Sequence, residues 1–223
     1  MSAPAAERLV VGAYDLDDDL VAAAAAADRP LVRVAPAPRT MVVLGAGGKP
    51  EVELRAEACL ADGVPVLRRG GGGCAVVLDP GNVIVSVVYR APGFGGSPAH
   101  FARISAWLID GLARCGVRGA SVAAGSDLVV GERKFGGACI RRARGLLHYS
   151  TSLLVDPDLS LLPRYLAHPP REPEYRRGRG HLDFVRPLAA LGPFRAASLA
   201  PALAAALDPA ALDPAALAAQ TAG

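Results

Sequence analysis

The chain has 223 residues, and its 24 Lys or Arg against 21 Asp or Glu give a formal net charge of +3 at pH 7. So small an excess of positive charge does not indicate a nucleic-acid binder. No apolar run reaches the roughly 18 residues that a membrane span needs, and the first residues lack the basic-then-apolar order of a secretory signal. The four cysteines form no CxxC pair, which argues against a zinc module. We therefore expect a cytoplasmic globular protein that binds neither nucleic acid nor a membrane.

Short apolar runs and helical segments follow one another through the first part of the chain. Acidic residues at the start of 15–27 favour a helix there, because they suit the positive end of the helix dipole. Asp79-Pro80-Gly81-Asn82 predicts the turn of a β-hairpin, since Pro fixes φ and Gly or Asn tolerates positive φ. The predicted elements are a helix over 15–27, strands over 31–35 and 41–45, a helix over 50–62, and strands over 65–69, 75–78 and 83–89.

The second part of the chain opens with the clearest helix, which begins near Ser97 and ends at Gly116. Its apolar residues recur at helical spacing along one face. We also predict strands over 127–130 and 146–155, a short helix over 159–166, and a helical tail from Ser198 in which Asp208-Pro209 and Asp213-Pro214 each restart a turn. Runs of strands with unequal helices between them indicate an α+β fold.

The first candidate site is the glycine-rich segment 67–82, where Arg68 and Arg69 precede Gly70 to Gly73. Exposed backbone amides beside guanidinium groups suit a carboxylate or a phosphate. We expect the glycines to let the backbone approach a ligand, so that a side chain added at Gly72 would obstruct it. A flexible loop between two strands would have the same composition, and no Walker-type lysine follows.

The second candidate site is segment 125–142, which contains Lys134, one of only two lysines in the chain. Lys134 follows a strand and a turn at Gly131 and precedes Gly136-Gly137, so it would present an ammonium where the backbone is open. A solvated lysine at a hairpin tip is the alternative. The nearby Asp127 has the spacing of a turn or cap carboxylate.

The third candidate site is a basic stretch over 168–184. It is either a positive patch for phosphate or for an acidic protein, or a surface loop with no dedicated partner. No HExxH or GxSxG pattern occurs anywhere in the chain, which argues against a zinc hydrolase or a serine triad. The arginines of this stretch are Arg171, Arg176, Arg177 and Arg179.

The first two segments, taken in order, resemble the lipoate–protein ligase A family of the biotin/lipoate ligase and octanoyltransferase superfamily. The resemblance runs from about residue 8 to about residue 190. The family's Arg-Arg, glycine-loop and Asp-x-Gly-Asn motif is matched by Arg68, Arg69, Gly71, Gly72, Gly73, Ala75, Asp79, Gly81 and Asn82. Its second motif, around a lysine, is matched by Ser126, Asp127, Lys134, Gly136, Gly137 and Ala138.

The resemblance implies a mixed, largely antiparallel sheet flanked by helices, like that of biotin and lipoate ligase catalytic domains. It implies a catalytic domain over 1–195 and an Ala-rich helical tail over 196–223, without the family's full accessory domain. The implied reaction activates lipoate or octanoate with ATP and Mg²⁺ to an acyl-AMP, then acylates a lysine of a lipoyl-acceptor protein. Lys134 would be catalytic, the other matched residues would bind substrate or nucleotide, and no metal ligand can be assigned.

Two alternatives remain open at this stage. An octanoyltransferase of the same superfamily works without ATP and uses a cysteine nucleophile, for which Cys74 and Cys139 are the cysteines nearest the two motifs. A chain that lacks the accessory domain could instead be a catalytic subunit or an acyl-adenylate binder that needs a separate accessory subunit.

Overall fold

Two β-sheets and the helices that cover them make up the protein in the computed structural model, which describes residues 9–91 and 96–212. The smaller sheet has the strand order β1-β4-β3-β5, and the larger has the order β2-β6-β10-β9-β8-β7. The strands are β1 Val11–Ala13, β2 Leu31–Pro36, β3 Met41–Leu44, β4 Val66–Arg68, β5 Val76–Leu78, β6 Asn82–Arg90, β7 Ala120–Ala123, β8 Asp127–Val130, β9 Arg133–Ala143 and β10 Leu146–Leu154.

Strand pairing confirms the predicted α+β class and its mixed, largely antiparallel sheet. Every pair in the larger sheet is antiparallel. In the smaller sheet β4 runs parallel to both β1 and β3, whereas β5 is antiparallel to β3. The helices are α1 Asp18–Ala26, α2 Pro50–Glu53, α3 Ala56–Ala61, α4 Ser97–Arg114, α5 Leu161–Tyr165, α6 His181–Phe184 and α7 Ala196–Ala206.

The main core lies between the larger sheet and the two long helices α4 and α7. Leu108 and Leu112 of α4 pack with Leu199 and Leu203 of α7 against buried strand residues such as Val85. Burying aliphatic side chains of this size contributes about 1.5–3 kcal/mol each. Helix α7 is therefore part of the same hydrophobic core as the strands of the larger sheet. Among the described residues, no helix is both long and apolar enough to span a membrane.

The helix predicted over 50–62 is interrupted, because residues 54 and 55 bond to a distant part of the chain. Leu54 has extended backbone and forms an isolated bridge with Leu166. The next amide, of Arg55, donates to the carbonyl of Tyr165 at 2.8 Å. Tertiary hydrogen bonds therefore override helix propensity here and split the segment into α2 and α3.

The hairpin predicted around Asp79-Pro80-Gly81-Asn82 is wrong. Strand β5 pairs with β3 in the smaller sheet, and β6 pairs with β2 and β10 in the larger one. The Asp79 carboxylate accepts the amides of Gly81 at 2.9 Å and of Asp158 at 2.7 Å, and the Asn82 side chain accepts the Asp79 amide at 2.9 Å. The turn is therefore a corner where the chain crosses between sheets, and residues 79–82 are called the sheet corner below.

Three strands were not predicted: β1, which has only three residues, and the two strands β9 and β7 of the larger sheet. The Gly- and Arg-rich segment after Lys134 forms most of β9, the longest strand described, and β7 precedes β8 at the edge of the larger sheet. Neither stretch has the apolar–polar alternation on which a strand prediction depends. The helical tail is confirmed as α7 and a short 3₁₀ turn at residues 209–212, while the predicted restart at Asp213-Pro214 lies outside the described residues.

Candidate functional site

A cavity of about 410 Å³ opens between the two sheets. Its floor is formed by β9 and β10 of the larger sheet, and the opposite wall by β5 and the glycine loop that follows β4. Residues 162–185, after β10, close a third side. These elements bring the first two candidate segments, which are far apart in sequence, to one space.

Lys134 lies in the wall of this cavity and is paired with Asp127. Its ammonium nitrogen lies 2.7 Å from Asp127 Oδ1, and Asp127 Oδ2 accepts the hydroxyl of Tyr175 at 2.7 Å. Asp127 lies at the start of β8, just before the point between Leu128 and Val129 at which the pairing of β8 with β9 shifts register. Burial and the neighbouring Asp127 raise the pKa of Tyr175 above its ordinary value, so its hydroxyl remains a donor. The buried carboxylate is therefore fully engaged and holds the ammonium in one place.

Of the two glycines that follow Phe135, Gly137 makes room for the side chain of Lys134. A methyl group at Gly137 would lie 2.8 Å from the ammonium nitrogen of Lys134 and 3.5 Å from Asp127 Oδ1. A methyl group at Gly136 would instead lie 3.1 Å from the Ser152 carbonyl oxygen. Thr151 fixes this part of β9 by donating its hydroxyl to the Gly137 carbonyl at 3.0 Å. Gly137 is therefore required by the position of the lysine.

Arg69 shapes the glycine loop from within. Its guanidinium donates to the carbonyls of Val43 at 3.1 Å, Gly72 at 2.7 Å and Cys74 at 2.9 Å. The loop also lies close to the end of β3, because a methyl group at Gly45 would lie 1.9 Å from the Gly73 carbonyl oxygen. Arg69 lines the cavity, but much of its hydrogen-bonding capacity serves the loop.

The expectation that a side chain at Gly72 would obstruct a ligand stays a prediction. A methyl group there would have no atom within 4 Å, and the positive φ of this loop, 92°, belongs to Gly73. Close approach occurs instead at Gly71, where a methyl group would lie 2.5 Å from the Cys139 sulfur. The glycines therefore bring the loop against β9, and their small size serves packing within the protein.

Arg68 and the unpredicted Glu53 support the loop from behind. The Arg68 guanidinium donates to the carbonyls of Gly45 at 3.0 Å and Gly48 at 2.8 Å. The buried Glu53 carboxylate accepts the amides of Lys49 at 3.1 Å and Ala75 at 2.6 Å, which joins α2 to the end of the loop. In the sequence Glu53 is only an acidic residue beside Leu54, so its two hydrogen-bond partners could not be predicted.

The structure thus divides the predicted site residues into two groups. Arg68, Gly72, Asp79 and Gly81 do not line the cavity, since they support the loop, face open space or build the sheet corner. The residues brought together around the cavity are Arg69, Gly71, Gly73, Ala75, Asn82, Ser126, Asp127, Lys134, Gly136, Gly137 and Ala138.

The basic stretch contributes Arg171 and Arg176 to the cavity wall. Arg176 is 5% exposed, and its guanidinium carbon lies 4.7 Å from the Phe184 ring centre. Its Nε donates to the Arg179 carbonyl at 3.0 Å, whereas Nη2 is buried without a hydrogen-bond partner among the described residues. Burial lowers the pKa of this guanidinium. Arg177 is exposed and lies 3.4 Å from Glu132. Arg176 Nε also lies 3.4 Å from Glu172 Oε2. The predicted patch therefore separates into the buried Arg176 in the cavity wall and exposed surface charges.

A polar cluster at another part of the cavity was not predicted. Asp17 Oδ2 accepts the Ser86 hydroxyl at 2.7 Å and lies 3.2 Å from His148 Nε2. Asp17 and His148 both line the cavity, although 131 residues separate them in sequence. No local pattern could have paired them.

The cysteines of the cavity are not arranged as a nucleophile with a base. Burial raises the pKa of the Cys139 thiol, and Arg69 only partly offsets this effect. The Cys74 sulfur lies 3.5 Å from the Arg171 carbonyl oxygen. Within the described ranges, no histidine bonds to either thiol, since His148 is engaged with Asp17.

Comparison with known proteins identifies the family. Residues 12–208 match the model of the lipoyl protein ligase A/B catalytic domain. A lipoate–protein ligase of Streptococcus pyogenes is 31% identical over 115 residues, which are 52% of this chain and 33% of that protein. An octanoyltransferase of Magnetococcus marinus is 32% identical over 102 residues, which are 45% of this chain and 48% of that protein. The chain therefore spans less than half the length of these curated relatives.

Two solved structures share the fold. A bipartite lipoate–protein ligase from Thermoplasma acidophilum, described with its E2 lipoyl domain, superposes with a TM-score of 0.71 at 22% identity, over 89% of this chain and 80% of that one. A lipoate–protein ligase A bound with ATP gives a TM-score of 0.68 at 21% identity, over 85% of this chain and 76% of that one. The resemblance read from the two motifs is confirmed: this chain belongs to the lipoyl protein ligase A/B catalytic domain family.

Proposed function

We propose that the protein activates lipoate or octanoate with ATP to an acyl-adenylate and transfers the acyl group to a lysine of an acceptor domain. The observation that carries this proposal is the pairing of Lys134 with Asp127 in a cavity that is also lined by Arg176, whose Nη2 is buried without a hydrogen-bond partner among the described residues. Two fixed positive charges in one space suit a reaction in which a carboxylate meets a polyphosphate, because mutual repulsion is the main obstacle.

Lys134 would stabilise charge on the acyl carbonyl and phosphate oxygens during both steps. A positioned charged donor in a site that excludes water contributes on the order of 3–4 kcal/mol to such a transition state. Asp127 positions the ammonium before the ligand arrives, so little reorganisation accompanies the reaction. Arg176 would bind phosphate or carboxylate through Nη2, since this buried nitrogen has no hydrogen-bond partner although Nε is held by Glu172 and the Arg179 carbonyl.

Mg²⁺ accompanies ATP in reactions of this kind and supplies charge neutralisation when bound. Among residues 9–91 and 96–212, no three His, Cys, Asp or Glu side chains come together as a metal site. Asp127 is already bonded to Lys134 and Tyr175. The described side chains therefore do not fit a metal held by the protein alone, and we derive no step through the ion.

The alternative is ATP-independent transfer of octanoyl through a cysteine. The similarity to an octanoyltransferase and the presence of Cys139 in the cavity wall favour it. The raised pKa of that thiol and the engagement of His148 with Asp17 favour the adenylating reaction. The similarity to a bipartite ligase supports a separate accessory subunit as a further partner in the adenylating case.

One experiment separates the two reactions. The protein is incubated with a lipoyl acceptor domain and either lipoate plus ATP–Mg²⁺ or an octanoyl carrier protein, and the acceptor mass is measured. We expect a lipoyl increment in the first tube only. An octanoyl increment in the second tube alone would replace the proposal with the cysteine reaction. Modification only after a candidate accessory subunit is added would identify the chain as a catalytic subunit.

A further inference from the structure

A second histidine in the cavity wall, His181, lies four residues before Val185, which contacts the backbone of Lys134. Lys134 forms an isolated parallel bridge with Val185, and the Arg186 amide donates to the Lys134 carbonyl at 2.9 Å. The Val185 amide in turn donates to the His181 carbonyl at 3.1 Å. His181 is thus one helical turn, about 5.4 Å along the axis, from the residue that pairs with Lys134.

The hydrogen bonding of His181 fixes the tautomer of its ring. Nε2 lies 3.0 Å from the carbonyl oxygen of Ala167, so this nitrogen carries a proton and donates it. In the neutral ring Nδ1 then has the free lone pair, and no group in the described ranges bonds to it. His148, the other histidine in the cavity wall, is held by Asp17 instead. His181 is therefore the cavity histidine with an available basic nitrogen.

The surroundings of His181 keep the ring neutral. Burial lowers its pKa below the ordinary value of 6.5, the bond to Ala167 opposes this shift, and neighbouring positive groups add to it. A neutral imidazole is the form that can accept a proton at pH 7. The titratable groups around it are Arg176, His168 and Arg55, Asp183 on its own helix, Lys134 and Arg133 on β9, and Arg164 and Tyr165 on α5.

We propose that His181 is the general base of the transfer step, a role that rests on the proposed function. The neutral amine of the acceptor lysine attacks the carbonyl carbon of the acyl-adenylate. The new C–N bond forms, the bond from that carbon to the phosphate oxygen breaks, and AMP leaves with the electron pair. The proton lost by the nitrogen passes to His181 Nδ1 and from there to solvent. Lys134 is unsuited to this role because its ammonium is paired with Asp127.

The two half-reactions allow a test. His181→Gln retains a side-chain donor for the Ala167 carbonyl but cannot accept a proton. We expect ATP–pyrophosphate exchange within about threefold of the parent, and transfer from preformed lipoyl-adenylate slowed by about 10²–10³-fold. The rate of acyl transfer by the parent should decrease as the pH falls through a pKa below 6.5, and this decrease should be absent in the variant. His168→Gln, an exposed substitution at a histidine bonded to Glu172, is the control and should change neither step.

Three results would overturn the inference. If His181→Gln has normal ATP–pyrophosphate exchange and an unchanged transfer rate and pH profile, His181 is not the general base and the proposed function is unaffected. Equal losses in both half-reactions would assign His181 a purely structural role. Absence of acyl-adenylate formation by the parent would overturn the proposed function and this inference together.

Discussion

Asp127 and Lys134 form an ion pair across the β8–β9 turn, with 2.7 Å between the ammonium nitrogen and one carboxylate oxygen. The second carboxylate oxygen accepts the Tyr175 hydroxyl, so the carboxylate cannot turn away from the lysine without losing a hydrogen bond. The side chain of Lys134 is about one-quarter exposed, at 28%, and that of Asp127 is 11% exposed. The pair therefore presents a fixed cation to the cavity.

Lys134→Ala should reduce ATP–pyrophosphate exchange and acceptor modification by at least about 10²–10³-fold, because a charged donor at the reacting oxygens is lost. The variant should stay folded with a lower melting temperature, since the buried Asp127 carboxylate loses its cation but keeps its bond to Tyr175. The matched control is Lys49→Ala at the exposed start of α2, which should retain full activity. Near-normal modification by Lys134→Ala would contradict the catalytic assignment.

Gly137→Ala should lower activity by about 10²-fold without a large loss of stability. The added methyl group would lie 2.8 Å from the lysine nitrogen, so the flexible end of Lys134 should move while the strand stays. Gly47→Ala is the control, because its methyl group meets open space and Gly47 does not line the cavity. Steady-state rates and thermal unfolding of both variants provide the measurement, and equal rates would show that the position of the lysine nitrogen does not limit the reaction.

Cys139→Ala and Cys74→Ala should each cost less than about tenfold in acceptor modification, or roughly 1.4 kcal/mol. The adenylating reaction has no thioester intermediate, and burial raises the pKa of Cys139. Intact-protein mass spectrometry after incubation with an octanoyl donor provides a second readout. Complete loss of activity in either variant, or an acyl adduct on the protein, would favour the cysteine mechanism.

Glu53→Gln should destabilise the protein by about 1–3 kcal/mol, because a glutamine has one acceptor oxygen where the carboxylate receives two backbone amides. The glycine loop should also become more susceptible to proteolysis. Glu51→Gln, at an exposed position of the same helix, is the control and should be neutral. Urea unfolding of the two variants tests this expectation, and indistinguishable midpoints would show that Glu53 does not secure the loop.

Arg176→Met should bind a non-hydrolysable lipoyl-adenylate more weakly by about 1.5–3 kcal/mol, since a charge-assisted hydrogen bond is lost. Without ligand the stability of the variant should change little, because removal of the buried Nη2 without a partner offsets the loss of the ion pair with Glu172 and of the hydrogen bond to the Arg179 carbonyl. Arg177→Met, at the exposed pair with Glu132, is the control. Titration calorimetry and thermal unfolding measure both effects. Unchanged affinity would mean that Arg176 does not contact the ligand.

Local sequence patterns predicted those features that depend on neighbouring residues. The apolar face of α4 and the scarcity of lysine led directly to a long helix and to Lys134. The chemistry of residues 79–82 correctly indicated a turn, but a turn does not reveal which sheet receives each of its strands. Strand β9 was missed because Gly136, Gly137 and the following arginines have no alternating pattern.

The parts of the site that were missed depend on contacts between distant residues. Asp17 can contact His148 only once β10 lies beside β6. Glu53 can accept the Ala75 amide only once the glycine loop has folded against α2. The close contact of the glycine loop with β9 was missed for a related reason. A glycine-rich loop indicates that its backbone packs closely against another group, but it does not identify that group. At Gly71 the group is the side chain of Cys139.

The sheet corner has a consequence for the width of the cavity. Its Asp79 carboxylate joins the end of β5 in one wall to the loop after β10, so this one side chain connects the two sheets that enclose the cavity. A substitution at Asp79 should therefore alter the spacing of the sheets and leave the ion pair of Lys134 with Asp127 in place. Under the proposed function, the residue that spaces the sheets is separate from the charged residues that would act on the acyl group, so each could vary in evolution without the other.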